Sequence, residues 1–173
     1  MWLRQSFHEC ADELMQCSMN FRAAWKSNYK YDSELATQDR VIREESIRGI
    51  AILRILALSI RSEQDYGLIS QTTLVVGAIK ENATDEYINY KIRSYEPPYT
   101  ALSDFTSLNL REALNKIAHA DPNRNGLFVD AQYHDLILSG VKGMKNKKIW
   151  IAVLSLIDLC NVIKAIPDHI IPT

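Results

Sequence analysis

Arg111, Asn115 and His119 stand at successive steps of four in the segment NLREALNKIAHADP, residues 109–122. An α-helix turns about 100° per residue, so side chains four apart line one flank. Arginine brings a fixed charge and a fork of donors suited to phosphate. Histidine brings a proton carrier that titrates near neutral pH. Asparagine donates and accepts, and so orients either partner. Such a trio suits binding, or metal-free acid–base cleavage, of a phosphodiester. Leu110, Ala113, Leu114 and Ile117 recur beside it at three and four, the stripe of a core-facing helix. Asn109 is the expected N-cap, with Glu112 three residues later as in a capping box. Asp121-Pro122 is the expected stop. The plain alternative for His119 is a last-turn histidine favoured by the helix dipole.

The core of this segment, Leu-Asn-Lys-Ile-Ala-His at 114–119, resembles the signature of the HEPN superfamily. That signature runs Arg, often Asn, a few residues, then His. Asn115, Lys116, Ile117 and His119 match, while Leu114 occupies the place of the Arg. The resemblance implies a helical bundle, a homodimer with the site at its interface, and a role in RNA chemistry, prokaryotic defence or toxin–antitoxin pairs. If the chain is an enzyme, the resemblance implies a metal-independent ribonuclease with His119, Arg111 and Asn115 as its catalytic residues. With Leu114 in the core stripe, the expectation is a degenerate site that binds RNA rather than cleaving it. Arg111 or Arg54 are the candidates to replace the missing cation. Arg54 lies in the apolar run GIAILRILALSI, where a charge must pair, snorkel or face a polar pocket.

Lys142, Lys145, Lys147 and Lys148 form a second candidate RNA contact, with a solvated turn as the alternative. Other chemistry is sparse. There is no Gly-rich phosphate loop and no HExxH, so no cofactor or metal is expected. Cys10 and Cys17 share a helix face without CxxC spacing and read as core thiols. His134-Asp135 resembles half of a catalytic dyad but has no nucleophile placed near it by any motif. Ser155, Asp158 and Asn161 recur at three and read as a solvated strip. A protein-interaction module (an immunity, antitoxin or inhibitor protein) is the alternative function. Its surface would be the segment holding Tyr87, Tyr90, Tyr95 and Tyr99.

The elements that position these residues read as mainly helical. The 173 residues fit one domain, 1–173, and the 47% apolar and 24% charged composition is that of a soluble globular chain. A net charge of -1 opposes a surface coated with nucleic acid but allows a local basic patch. The N-terminus lacks an apolar signal core, and no run is long enough to span a bilayer, so a cytoplasmic protein is expected. Helices are expected over 3–28 and 33–62, separated by SNYKYDSE. The second is apolar nearly all round in its later half, as in a central helix. YGLISQTTLVVGAIKEN mixes signals and is read as helix. A long polar connection to Thr106, with a short helix at DEYINYKIRS, follows. LFVDAQYHDLILSG reads as two short strands or one bent strand, and KIWIAVLSLIDLCNVIKAI as a final helix. The expected fold is thus a bundle of four to six helices with a small β-hairpin before the last helix.

Overall fold

The computed structural model describes residues 5–27, 35–143 and 147–171. Lys145, and residues 28–34 of the expected break SNYKYDSE, lie outside the described residues. The chain is not a helical bundle. It builds a five-stranded antiparallel sheet with helices on both faces, an α/β fold. Two antiparallel helices come first, α1 (Phe7–Ser27) and α2 (Leu35–Asp65). Phe7, Cys10, Leu14, Cys17 and Phe21 point inward from α1, the face that the apolar spacing predicts.

The strands are β1 (Val75–Glu81), β2 (Thr106–Asn109), β3 (Gly126–Val129), β4 (His134–Lys142) and β5 (Lys148–Ser155), in the order β2-β1-β5-β4-β3. Helix α3 (Asp85–Ser94) and a 3-10 turn (Tyr99–Ala101) fill the connection from β1 to β2. Helix α4 (Leu110–His119) follows β2 directly, and α5 (Leu156–Ala165) follows β5. Helices α1, α2, α4 and α5 cover one face with the larger core. On the other face, Ile88 of α3 and Tyr95 and Tyr99 pack against Ala78, Ile137, Ile151 and Val153.

Two segments expected to be helical are strands, and the cause is the same for both. β5 is central and sealed on each side: Trp150, Ala152 and Leu154 face the larger core, Ile151 and Val153 the smaller. A strand covered on both faces shows no polar alternation, and a short apolar run then cannot be told from buried helix. Ser155 ends β5 and caps α5 by accepting from the Asp158 amide, so the apolar run changes from strand to helix halfway. In β1, a Cβ at Gly77 would lie 2.2 Å from the Val153 carbonyl, so glycine is what lets β1 approach β5 there. The expected hairpin strands form as β3 and β4, yet they continue the main sheet rather than standing apart.

α2 also departs from expectation. Its face of Ile52, Leu53, Leu56, Ala57 and Ile60 is buried against the core. Its opposite face is exposed, so the helix lies on the outside of the molecule. Among the described residues no helix is long and apolar enough to cross a membrane.

The sheet and α4 meet at Gly140 of β4. A Cβ there would fall 2.3 Å from the Trp150 ring and 2.8 Å from the His119 carbonyl. Gly140→Ala is therefore expected to push the ring or the end of α4 aside at a cost of about 1–3 kcal/mol. Urea unfolding followed by tryptophan emission measures it, and an unchanged midpoint would mean that this contact yields freely.

Candidate functional site

α4 starts as its sequence dictates. Asn109 accepts from the Glu112 amide at 3.0 Å, satisfying one of the free donors of the first turn. Leu110, Ala113 and Leu114 are fully buried, so the residue in place of the motif arginine is a core residue. The opposite side of α4 borders a groove of about 620 Å³. Glu112, Asn115, Lys116 and His119 line it from α4, Lys80 and Glu81 from β1, and Thr106 and Ser107 from β2. Val141 and Lys142 of β4, Trp150 of β5 and the loop residue Asp104 also line it.

The structure divides the expected ridge. Asn115 and His119 enter the groove, but Arg111 does not. Its guanidinium donates to the Arg61 carbonyl (2.9 Å) and to the Asp65 carboxylate (2.6 Å), which ties α4 to the end of α2. A guanidinium fork with two acceptors on a neighbouring helix is a tether, not a free cation for a ligand. Arg54 also lies elsewhere, exposed on α2 at the rim of a separate cavity of about 360 Å³ with Ile50, Leu53, Ile117 and Leu127. Of the basic turn, Lys142 reaches the groove, where it pairs with Glu81 at 3.5 Å. Lys147 and Lys148 are exposed and are not among the lining residues.

Sequence reasoning gave no role to Lys80 or Lys116, yet they are the groove's other cations. Lys80 pairs with Asp104 (3.3 Å), whose carboxylate also accepts from the Tyr87 hydroxyl (2.6 Å). That hydroxyl, then Lys80, hold the Asp104 carboxyl below its ordinary range. Lys116 is different. Its ammonium stands 4.6 Å from the centre of the Trp150 ring, and burial holds its pKa below the usual lysine value. Glu81 and Glu112 act on it through their charges, but among the described residues no carboxylate lies at ion-pair distance. Lys116 stood inside the motif, so the signal was available, but its neighbours on β1, β2 and β5 were not.

The other face of the sheet holds a second polar group. Tyr95 donates to Asp135 (2.6 Å) and Tyr99 to Asp158 (2.9 Å), while on the α1 side of the sheet the Ser18 hydroxyl bonds His134 Nδ1 (2.9 Å). His134-Asp135 is thus no dyad: the two side chains serve opposite faces of β4 and different partners. Ser155 and Asp158 are cap and anchor rather than a solvated strip, and only Asn161 of that trio is exposed. Tyr95 and Tyr99 are buried, so half of the expected tyrosine surface faces inward, while Tyr90 is exposed. Cys10 and Cys17 are free and buried, and burial pushes each thiol up to about 11. Among the described residues no group of three or more His, Cys, Asp or Glu could hold a metal ion.

No family model, no curated protein and no solved structure matches this chain. The fold and the site therefore define it by their own geometry: a helix-covered antiparallel sheet with a charge-balanced groove under α4.

Restoring the motif by Leu114→Arg is expected to destabilise the fold by more than about 3 kcal/mol, because the site would bury an unpaired guanidinium. A thermal melt reads this, and a variant as stable as the parent would show that the position has access to solvent.

The inner cluster carries a pH signature. Burial lowers His134 to about 4, with the Arg22 charge adding to it. The unfolded chain therefore takes up this proton from about pH 6.5 downward while the folded one resists, and stability is lost as pH falls toward 4. Burial raises Asp135 to about 6; the Tyr95 hydrogen bond opposes, and the Asp158 and Asp130 charges add. The folded state binds that proton first, so Asp135 gains stability over the same fall in pH. The two slopes oppose each other. His134→Gln removes the loss and is expected to shift the stability difference from wild type by up to about 3 kcal/mol in the variant's favour between about pH 7 and pH 4. Urea titrations at both pH values test it, and a pH-independent difference would contradict it.

Proposed function

We propose that this chain is a binding domain, not a nuclease, and that its groove takes a terminal phosphate such as that of a nucleotide or an RNA end. The observation that carries this reading is Lys116, a partly desolvated ammonium on the Trp150 ring without a close carboxylate. An anion in the groove would offset that desolvation. Asn115 and His119 lie on the same wall, where their side chains can bond phosphate oxygens.

The same surroundings speak against a long polyanion. Glu81, Asp104 and Glu112 match Lys80, Lys116 and Lys142 in number, so no continuous positive track exists. Cleavage would need a cation beside His119 in place of Leu114, and Arg111 is held by α2. The RNA-related expectation thus narrows to recognition of a single phosphate.

Calorimetry with adenosine monophosphate, and with a short RNA with or without a 5′-phosphate, tests the reading. Binding is expected for the nucleotide, the phosphorylated RNA or both, which separates the two sources. Lys116→Met keeps the apolar stem and is expected to weaken binding about tenfold or more, as for loss of a charge-assisted hydrogen bond. No binding by either phosphate, or equal binding by the variant, would refute it. RNA cleavage by the wild type that His119→Ala abolishes would refute it in the other direction.

A further inference from the structure

Helix α2 is apolar on two opposite faces. The inner one packs on the core. The outer one carries Ile47, Ile50, Ala51, Arg54, Ile55 and Leu58 at helical spacing. Ile47 is 65% exposed, Ile50 52%, Ile55 45% and Leu58 64%. A stripe of this length is unusual on a free soluble surface. A helix apolar all round is one that is covered on both sides.

We infer that this face pairs with the same face of a second copy, α2 antiparallel to α2, about a twofold axis between residues 52 and 53. In that register Ile47 lies opposite the second copy's Leu58, and Ile50 opposite its Ile55. Ala51 leaves room for the stem of Arg54, whose charged head turns out to water. The charges beyond the stripe select the register. Glu44 falls opposite Arg61, and Arg40 opposite Asp65, whose exposed carboxylate keeps its bond to Arg111, so unlike charges meet at both ends of both helices. Sliding the helices by about one turn destroys the match. One direction sets Arg40 against Arg61, and the other sets Arg54 against its own copy.

What must be given up is small. Arg40 and Glu44 now form an exposed pair within α2 at 3.8 Å, of a kind that contributes little. A self-complementary patch of this kind closes as an isologous dimer and leaves no open end. The outer face of α2 contributes no residue to the groove, so this inference does not rest on the phosphate reading.

Sedimentation equilibrium of the full chain tests it. A dimer is expected at micromolar concentrations, the weak end of the range for protein interfaces. Leu58→Asp places a charge in the seam at a position already exposed in the monomer, and is expected to yield a folded monomer. Glu44→Arg is expected to weaken the dimer about tenfold, and Glu44→Arg with Arg61→Glu to restore it, since the swapped charges meet again. The register is tested separately. Ala51→Cys brings the two thiols within about 4.5 Å along the axis and is expected to cross-link on mild oxidation; Ile47→Cys, about 16 Å from its copy, is not. Cys10, Cys17 and Cys160 are buried and do not compete. A monomer at all concentrations, or a dimer indifferent to Leu58→Asp, overturns the inference. Cross-linking by Ile47→Cys but not Ala51→Cys overturns the register. A chain that stays monomeric alone yet binds a different protein through α2 overturns the second copy as the occupant.

Discussion

Strand β5 is buried on both faces and bonded on both edges, and the other elements are arranged around that constraint. β1 and β4 take its backbone groups on either side. Ile151, Val153 and Leu154 have no exposure, and burying each such side chain contributes about 1.5–3 kcal/mol. Sealing both faces requires two layers. α1, α2, α4 and α5 form one, while α3 and the following 3-10 turn form the other. Trp150, one residue of this strand, also reaches the functional side. Its ring presses on Gly140 and supports the Lys116 ammonium.

α4 converts that core into a surface. Leu110, Ala113 and Leu114 lock one side into the larger core, which fixes the rotation of the helix. Asn115, Lys116 and His119 then lie on the side of α4 that borders the groove. Arg111 fixes the helix sideways through Asp65 and the Arg61 carbonyl. What resembled a catalytic ridge is therefore shared between two tasks, attachment to α2 and contact with a ligand.

On the far face, polar side chains hold the covering layer in place. Asp135 and Asp158 come from β4 and α5, and each receives a tyrosine hydroxyl from the chain between α3 and β2. A buried carboxylate without such a donor would be costly, so the tyrosines are tied to the acids as firmly as the acids are to them. Tyr87 repeats the arrangement at the groove with Asp104.

Much was legible locally. The apolar spacing in α1, the cap at Asn109, the inward turn of Leu114 and the stop at Asp121-Pro122 follow from rules that act within one or two helical turns. The sheet was hidden because its central strands are apolar throughout, and only the presence of a second covering layer distinguishes such a strand from a buried helix. By itself the sequence determined which residues could do chemistry around His119 and which side of α4 they share. Tertiary structure decided which of them meet. Lys80, Thr106, Lys142 and Trp150 come from four separated strands, and the Arg111 partners lie 46 and 50 residues away. Partnerships of that range depend on how layers stack and strands order, which no local spacing encodes.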